Sequence, residues 1–198
     1  MLSILAGILI GTAGAIYLSI GGPIGAFLFS IGLLTILIFE LELFTGKAGL
    51  LTNRKISKIR LLKIWLGNFF GTTIAALFTL LLPTNFELVE RAQEITNLRL
   101  ENGFITNFGC GIFCGILMYA AVDGYRESHG NPLYAILPVA AFILMGANHC
   151  VADMYYCHLS AEDISVYTTL IPTTLGNFFG CNLIPWYLAE DEWDKKYR

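Results

Sequence analysis

The stretch Gly146-Ala147-Asn148-His149-Cys150 interrupts an otherwise apolar segment that runs from residue 133 to residue 157. A membrane-spanning helix needs roughly 20 predominantly apolar residues, and this segment is long enough to cross a bilayer. A histidine at membrane depth is costly unless it faces the protein interior or a water-filled cavity. The segment therefore predicts a broken transmembrane helix with a polar break inside the protein.

The composition of the whole chain favours a membrane location. Of the 198 residues, 56% are hydrophobic and 14% are charged, and the mean hydropathy is +0.65. Soluble domains usually carry about 25% charged residues, so this chain has too few to cover a water-facing surface. The net charge of −3 and the lack of a basic arm argue against a nucleic-acid partner. We expect an integral protein of the lipid bilayer.

Six segments are candidate spans: residues 2–19, 24–45, 62–82, 103–122, 133–157 and 165–189. The first has no basic n-region and no cleavage site of small residues, so we expect a retained helix rather than a signal peptide. The polar segment Pro83–Asn102 is predicted to hold a surface helix near Phe86–Leu98. The predicted fold is an all-α membrane protein with one transmembrane domain covering residues 1–198.

Positive charges are concentrated on one side of the predicted membrane. That side carries Lys47, Arg54, Lys55, Lys58, Arg60, Lys63, Arg126, Lys195, Lys196 and Arg198. The loops on the other side carry only Arg91 and Arg99. Because loops rich in Lys and Arg stay in the cytoplasm, we expect both termini to be cytoplasmic and the protein to lie in the cell membrane.

One sequence occurs twice, as Gly67-Asn68-Phe69-Phe70-Gly71 in the third span and as Gly176-Asn177-Phe178-Phe179-Gly180 in the sixth. In each case the preceding span carries a polar break, at Glu42–Gly46 and at Gly146–His149. Two halves of three spans each have opposite orientations. The pattern therefore predicts inverted repeats, approximately 1–82 and 103–189, as in transporters whose broken helices meet near the bilayer midplane. The alternative is a chance recurrence in a chain rich in Gly and Phe.

His149 and Asp153 are four residues apart, so they share a helical face. A neighbouring carboxylate favours the charged imidazolium, whereas burial opposes it. His149 is therefore predicted to exchange a proton near neutral pH, and Asp153→Asn is expected to move a pH-dependent activity towards acid. The alternative is a histidine that is only packed and hydrogen-bonded in the core.

The break in the second span offers a hydroxyl group and a positive charge. Thr45 and Gly46 end the apolar run, and non-helical backbone at this depth has to be buried in protein or line a cavity. The alternative is that the span simply ends at Thr45. Lys47 would concentrate anions if it lies near the mouth of a pathway. Alternatively, it pairs with Glu42 or extends to the membrane interface.

No metal site and no cofactor are predicted. The five cysteines form no Cys-x-x-Cys pair, so buried thiols are expected. The spacing of His149, Cys150, Cys157 and His158 fits no common zinc pattern. We expect a protein that is not an enzyme, with a membrane-embedded redox or metal enzyme as the alternative.

Together these motifs resemble the formate/nitrite transporter family over nearly the whole chain. The similar stretches are Phe29–Leu33 through Glu42–Gly46, Leu137–Phe142 through Gly146–Met154, and Ile171–Asn177. The resemblance implies a homopentamer of aquaporin-like protomers, each with its own pore and with broken second and fifth helices. It also implies passage of small monovalent anions of weak acids, or of their conjugate acids: formate, nitrite, lactate-like acids or hydrosulfide.

The resemblance implies roles for individual residues as well. His149 corresponds to the central pore histidine of the family, and Thr45 to the loop threonine that faces it. Leu43, Phe44, Phe142, Phe29 and Leu33 correspond to the apolar constrictions. Asn148, Asp153 and Lys47 complete the set of pore or substrate-binding candidates.

Several of these positions depart from the family pattern. Asn148 replaces a glutamate, Asp153 replaces an asparagine, Lys47 stands where asparagine is frequent, and Asn131 replaces a vestibule lysine. We expect a proton from His149 to neutralise the anion, since a bare anion is costly to desolvate in an apolar constriction. Because the lysine is missing at Asn131 and a carboxylate is added at Asp153, the pore is less favourable to anions, and a channel for neutral solutes such as urea, ammonia or glycerol is the alternative.

Overall fold

A computed structural model of the chain describes residues 1–52, 55–160 and 163–197. Two of the basic residues used to predict the orientation, Arg54 and Arg198, lie outside the described residues. The described elements are all helical. They are α1 (Leu2–Ile20), α2 (Gly22–Ile38), α3 (Phe44–Ala48), α4 (Lys58–Thr79), α5 (Asn85–Glu127), α6 (Leu133–Leu144), α7 (Cys150–Ser160) and α8 (Leu170–Tyr197), with 3-10 turns at Gly49–Leu51 and Ile164–Thr169.

The second and fifth candidate spans are each split in two. Residues 39–43 separate α2 from α3, and residues 145–149 separate α6 from α7. The fifth span is interrupted where the sequence predicted. The second is interrupted earlier than expected, because α2 ends at Ile38 and Thr45 lies inside the short helix α3.

The two breaks begin with the same turn. The N–H of Leu41 donates to the carbonyl of Ile36 over 2.9 Å, and the N–H of Ala147 donates to that of Phe142 over 2.9 Å. The residue before each donor has a positive φ, 53° at Glu40 and 77° at Gly146. This is the Schellman geometry that ends a helix and satisfies its last carbonyl groups. It explains why the second span ends before Thr45.

The second half of each broken helix is anchored by the asparagine of the recurring sequence. The side-chain oxygen of Asn68 accepts from the N–H of Phe44 at 2.8 Å, and that of Asn177 accepts from the N–H of Cys150 at 2.8 Å. Each side-chain amide also donates to the carbonyl two residues earlier, at 2.9 and 2.7 Å. The first N–H groups of a helix have no partner within it, so a buried helix start needs acceptors of this kind.

Close helix packing positions both asparagines. A Cβ atom on Gly71 would overlap the carbonyl oxygen of Ile4, and one on Gly180 would overlap that of Ile112. The backbones of α1 and α4 therefore approach each other as closely as those of α5 and α8. Small residues permit this approach between helices in a membrane.

The polar segment before the fourth span is helical, as predicted near Phe86–Leu98. It forms the first part of α5, which bends at Gly103, where φ is 68° and ψ is −174°. The guanidinium of Arg91 donates to the carbonyl oxygens of Leu18 and Ser19 at the end of α1. This first part of α5 is therefore held against the end of the helical bundle.

The start of the sixth span differs from the prediction. Residues 164–169 form a 3-10 turn, and α8 begins at Leu170 instead of residue 165. The carboxylate of Asp163 accepts from the N–H of Ser165 at 2.8 Å, which starts the turn. The helix then continues to Tyr197, beyond the predicted end at residue 189.

The surface agrees with an integral membrane protein. Among the described helices, α1, α4 and α5 are long and apolar enough to cross a bilayer, and α2 and α6 are shorter apolar helices. Large apolar side chains remain exposed, including Ile24 at 68%, Leu81 at 78% and Ile105 at 84%. Apolar surface of this extent needs lipid or a protein partner to cover it.

Candidate functional site

The break between α6 and α7 ends at His149, which is buried with 2% of its surface exposed. Its Nε2 atom lies 2.9 Å from Oγ1 of Thr45, so the two broken helices meet at these side chains. Its Nδ1 atom accepts from the backbone N–H of Ala152 over 3.2 Å. Since a backbone N–H can only donate, the hydrogen of the neutral ring lies on Nε2, which donates to the hydroxyl oxygen of Thr45.

Two aromatic rings lie beside the histidine. The ring of Phe142 stacks on that of His149, with centroids 5.7 Å apart and planes 19° apart. Phe29 contacts Phe142 edge-on at 6.3 Å. The polar ring of His149 therefore lies beside the two apolar rings of Phe142 and Phe29.

A cavity of about 180 Å³ adjoins these rings. Its walls are mostly aromatic and aliphatic, with Tyr17, Phe29, Ile95, Leu98, Phe142, Ile143 and Tyr156 among them. The side chains of Arg99, His149 and Asp153 also line it. Leu98 is 52% exposed, so the cavity opens to the surface at the end of the bundle where α1 meets α5.

The carboxylate of Asp153 is paired with Arg99. Oδ1 of Asp153 lies 3.8 Å from Nε of Arg99, and the two side chains are 3% and 12% exposed. Both ring nitrogens of His149 already have other partners, Thr45 and the N–H of Ala152. Asp153 and His149 line the same cavity, but the near charged partner of Asp153 is the guanidinium group of Arg99.

Arg99 was not predicted from the sequence as a site residue, because its charge indicated only the orientation of a loop. The available signal was an acidic residue in an apolar span, because a buried carboxylate requires a cationic or hydrogen-bonding partner. Only Arg91 and Arg99 were predicted on the non-cytoplasmic side, so only these two arginines were candidate partners for Asp153 there. Arg91 binds carbonyl groups of α1 instead.

Asn148 is directed to a neighbouring helix. Its side-chain amide donates to the oxygen of Asn107 at 2.9 Å, and the amide of Asn107 donates to the backbone carbonyl of Arg99 at 2.6 Å. Asn148 does not line the cavity that adjoins His149. Asn148 therefore connects the break before α7 to the bend of α5 through Asn107.

The other three constriction candidates, Leu33, Leu43 and Phe44, are buried but do not line the cavity beside His149. Leu33 and Leu43 are each 1% exposed, and neither lines the cavity beside His149. Phe44 lines a separate apolar groove, where it is accompanied by Trp65 and Phe178. The structure thus brings together Phe29, Phe142 and His149 in one wall and leaves the other three outside it.

Lys47 lies in α3, is half-buried and does not line the cavity beside His149. Glu42, which the sequence offered as its partner, is instead bonded to Arg60, with Oε1 and a guanidinium nitrogen 2.6 Å apart. The exposed ion pair of Glu42 and Arg60 joins the break after α2 to the start of α4.

The described elements are helical and two interrupted helices meet at a buried histidine, an arrangement typical of the class of membrane transport proteins. The chain is a member of the formate/nitrite transporter family, whose family model matches residues 1–188. This confirms the resemblance seen in the sequence. Since the family consists of transporters, the expectation that the protein is not an enzyme is confirmed as well.

Individual relatives are distant in sequence. The formate channel FocA of Haemophilus influenzae is 24% identical over 196 residues, which cover 79% of this chain and 69% of the relative. FocA of Escherichia coli K12 is 23% identical over 201 residues, covering 81% and 70%. The uncharacterized transporter YrhG of Bacillus subtilis is 28% identical over 185 residues, covering 86% and 66%.

Solved structures show the same fold. A pentameric formate channel with formate bound superposes with a TM-score of 0.80 at 24% identity, covering all of this chain and 96% of the other. An ion channel of the same family superposes with a TM-score of 0.79 at 26% identity, covering 94% and 88%. The helical channel fold therefore extends over the whole chain.

Proposed function

We propose that the protein is a channel for small monovalent anions of weak acids, of the formate, nitrite or hydrosulfide class. Family membership supports the transport function, and the names of the relatives support the anion class. The observation that carries the proposal is the buried contact between Nε2 of His149 and Oγ1 of Thr45, which joins the two broken helices beside a cavity.

The mechanism follows from the direction of that hydrogen bond. Because Nε2–H of His149 donates to the hydroxyl oxygen of Thr45, the hydrogen of the hydroxyl group is free to point at a passing anion. Phe29 and Phe142 exclude water next to this donor, so the anion passes cheaply only as its conjugate acid. His149 is neutral in this geometry, with its one ring hydrogen on Nε2. The proton therefore reaches the anion from solvent through water, and it returns to solvent beyond the constriction.

We further propose that residues 1–82 and 103–189 are inverted repeats within a single transmembrane domain. Three pairs of corresponding features support this: the turns at Glu40 and Gly146, the anchors Asn68 and Asn177, and the close backbone contacts of α1 with α4 and of α5 with α8. Such an arrangement places both breaks near the bilayer midplane.

The assembly is proposed to be a homopentamer in the cell membrane with both termini in the cytoplasm. The pentameric state of the related formate channel and the exposed apolar surface support the oligomer. The orientation rests on the distribution of Lys and Arg between the loops.

A channel for neutral solutes is the second candidate. It is favoured by the pairing of Arg99 with Asp153, because the opposite charges cancel within the cavity. Urea and glycerol would then meet no excess positive charge at the entrance.

Flux into proteoliposomes that contain the purified protein distinguishes the two candidates. Gradients of formate, nitrite or hydrosulfide at neutral pH are expected to produce saturable flux, whereas urea is expected to cross no faster than in empty liposomes. Thr45→Val keeps the side-chain volume and removes the hydroxyl group, so it is expected to reduce anion flux strongly. Urea flux without anion flux would establish the neutral-solute channel instead.

A further inference from the structure

The ion pair between Arg99 and Asp153 is incompletely bonded. The distance of 3.8 Å between Nε and Oδ1 exceeds that of a hydrogen bond, and a guanidinium–carboxylate pair usually forms two parallel contacts of about 2.7–2.9 Å. Among the described residues, neither Nε of Arg99 nor Oδ2 of Asp153 has a hydrogen-bond partner. Both groups are buried, so each has unused hydrogen-bonding capacity where water is scarce.

The space next to the pair suits a molecule of a few atoms. Arg99, Asp153 and His149 line the same cavity of about 180 Å³, and a water molecule occupies about 30 Å³ of liquid. The cavity therefore offers, at Nε of Arg99, a donor with no assigned acceptor among the described residues.

The backbone of Arg99 is anchored relative to the break that carries His149. Its carbonyl oxygen accepts from the amide of Asn107 at 2.6 Å, and Asn107 in turn accepts from Asn148, the neighbour of His149. The guanidinium group is therefore presented from a fixed backbone position at the entrance, whereas its contact with Asp153 is loose.

We propose that Arg99 is the binding residue for a planar anion with two oxygen atoms on one centre, such as a carboxylate or nitrite, and that Asp153 is the internal counterion which the anion displaces. The planar guanidinium group presents two parallel N–H donors that match two such oxygens, but it cannot bind the single non-hydrogen atom of hydrosulfide or chloride in this way. The inference rests on the proposed anion channel and selects among its substrates.

Asp153 makes the binding reversible. An anion that reaches Arg99 gains two charge-assisted hydrogen bonds but has to replace an existing charge partner. A channel requires such a balance, since an anion must bind the site favourably enough to enter it and weakly enough to leave it. Removal of the carboxylate charge is therefore expected to tighten anion binding.

Two single variants test the two halves of the proposal. Arg99→Lys keeps the charge and loses the fork, so the half-saturation concentration for formate flux is expected to rise about tenfold, as loss of a bidentate contact predicts. Asp153→Asn is expected to lower that concentration several-fold. Arg91→Lys is the matched control, because Arg91 lies on the same helix, binds carbonyl groups of α1 and does not line the cavity.

Thermal unfolding of the purified protein gives a readout independent of flux, since a ligand that binds the native state raises Tm. Formate and nitrite are expected to raise the Tm of the wild type more than chloride or hydrosulfide at equal concentration, and Arg99→Lys is expected to abolish the difference. The double variant Arg99→Gln/Asp153→Asn removes both charges, which avoids leaving one charge buried alone. It is expected to fold and to show the same loss of preference.

The inference is overturned if Arg99→Lys binds formate and chloride in the same ratio as the wild type, or if Asp153→Asn weakens formate binding. Each outcome leaves anion flux by the wild type intact. A wild type that transports urea and no anion would instead refute the proposed function itself, so the two failures are distinguishable.

Discussion

At the residue scale, His149 is held by two hydrogen bonds of opposite direction. Nδ1 accepts from the N–H of Ala152 and Nε2–H donates to Thr45. The ring is therefore positioned from the start of α7, and its side-chain partner is supplied by α3. Neither helix alone would present this arrangement.

We expect His149→Ala and His149→Phe to abolish selective weak-acid flux while the oligomer stays intact. Both remove the donor to Thr45, and the phenylalanine keeps an aromatic ring stacked on Phe142. Flux into proteoliposomes at several pH values measures the effect. His158→Ala is the matched control, because His158 also lies in α7 but bonds to Thr73 and Tyr167. Flux of wild-type size and pH dependence in the His149 variants would show that the residue only packs.

Lys47→Ala is expected to lower anion flux at low ionic strength and to have a much smaller effect at high salt. A positive charge near the mouth of a channel concentrates anions within about one Debye length. Salt shortens this length from about 30 Å at 0.01 M to about 10 Å at 0.1 M. The pairing of Glu42 with Arg60 leaves Lys47 without the partner that the sequence offered. Lys63→Ala, on the exposed face of α4, is the control. An equal reduction at both salt concentrations would exclude the electrostatic role.

The pH dependence of Asp153→Asn separates two roles for the carboxylate. If Asp153 tunes His149, as the sequence alone suggested, the flux profile moves towards acid. Since Arg99 is the near partner of Asp153, we expect instead a lower half-saturation concentration for formate with little movement of the profile. Half-saturation measured at each pH value provides both quantities.

At the scale of secondary structure, the recurring sequence acts through its asparagines. Asn68 and Asn177 each bond to the backbone on both sides of a helix start. The helices α3 and α7 can therefore begin inside the protein, where water is unavailable to their first N–H groups. This explains why the same five residues occur in both halves.

We expect Asn177→Ala to destabilise the protein, because the N–H of Cys150 and the carbonyl of Asn148 lose their partner. An unsatisfied buried group costs about 1–3 kcal/mol, and for a chain of this size each kcal/mol lowers Tm by roughly 2–4 °C. A fall of several degrees in thermal unfolding is therefore predicted, with a similar fall for Asn68→Ala. Asn85→Ala, which affects an exposed contact at the start of α5, should leave Tm within about a degree. Equal effects of Asn85→Ala and Asn177→Ala would contradict the anchoring role.

At the scale of the whole molecule, the exposed apolar side chains define a surface that one protomer cannot cover. Ile24, Leu81 and Ile105 are more than half exposed, and apolar surface of this extent needs lipid or a protein partner to cover it. A proposed pentamer would bury part of this surface between protomers and leave one cavity beside His149 in each of them.

Native mass spectrometry of the protein in detergent tests the assembly. The expected mass is five times that of the 21.8 kDa chain, with no dependence on formate. His149→Ala should give the same mass, because its site lies within one protomer. A monomeric or trimeric mass for the wild type would contradict the proposed homopentamer.

Features that depend on neighbouring residues were predictable from the sequence. The bilayer-spanning composition, the break before α7 and the helix before Gly103 follow from local hydropathy and from polar residues at short spacing. The end of α2 was predicted too late, because a positive φ at Glu40 is less expected than one at Gly146. A glycine in the sequence indicates such a turn, whereas a glutamate does not.

By itself the sequence determined that this chain is a helical membrane protein of the formate/nitrite transporter family with His149 in a helix break. The contact of His149 with Thr45 was available only through the family resemblance. The tertiary structure alone decided that Arg99 pairs with Asp153 and that Asn148 turns to Asn107. Spacing along the chain places Asp153 next to His149. The charged partner of Asp153 is instead Arg99, which the bend of α5 at Gly103 places beside the cavity although it is distant in sequence.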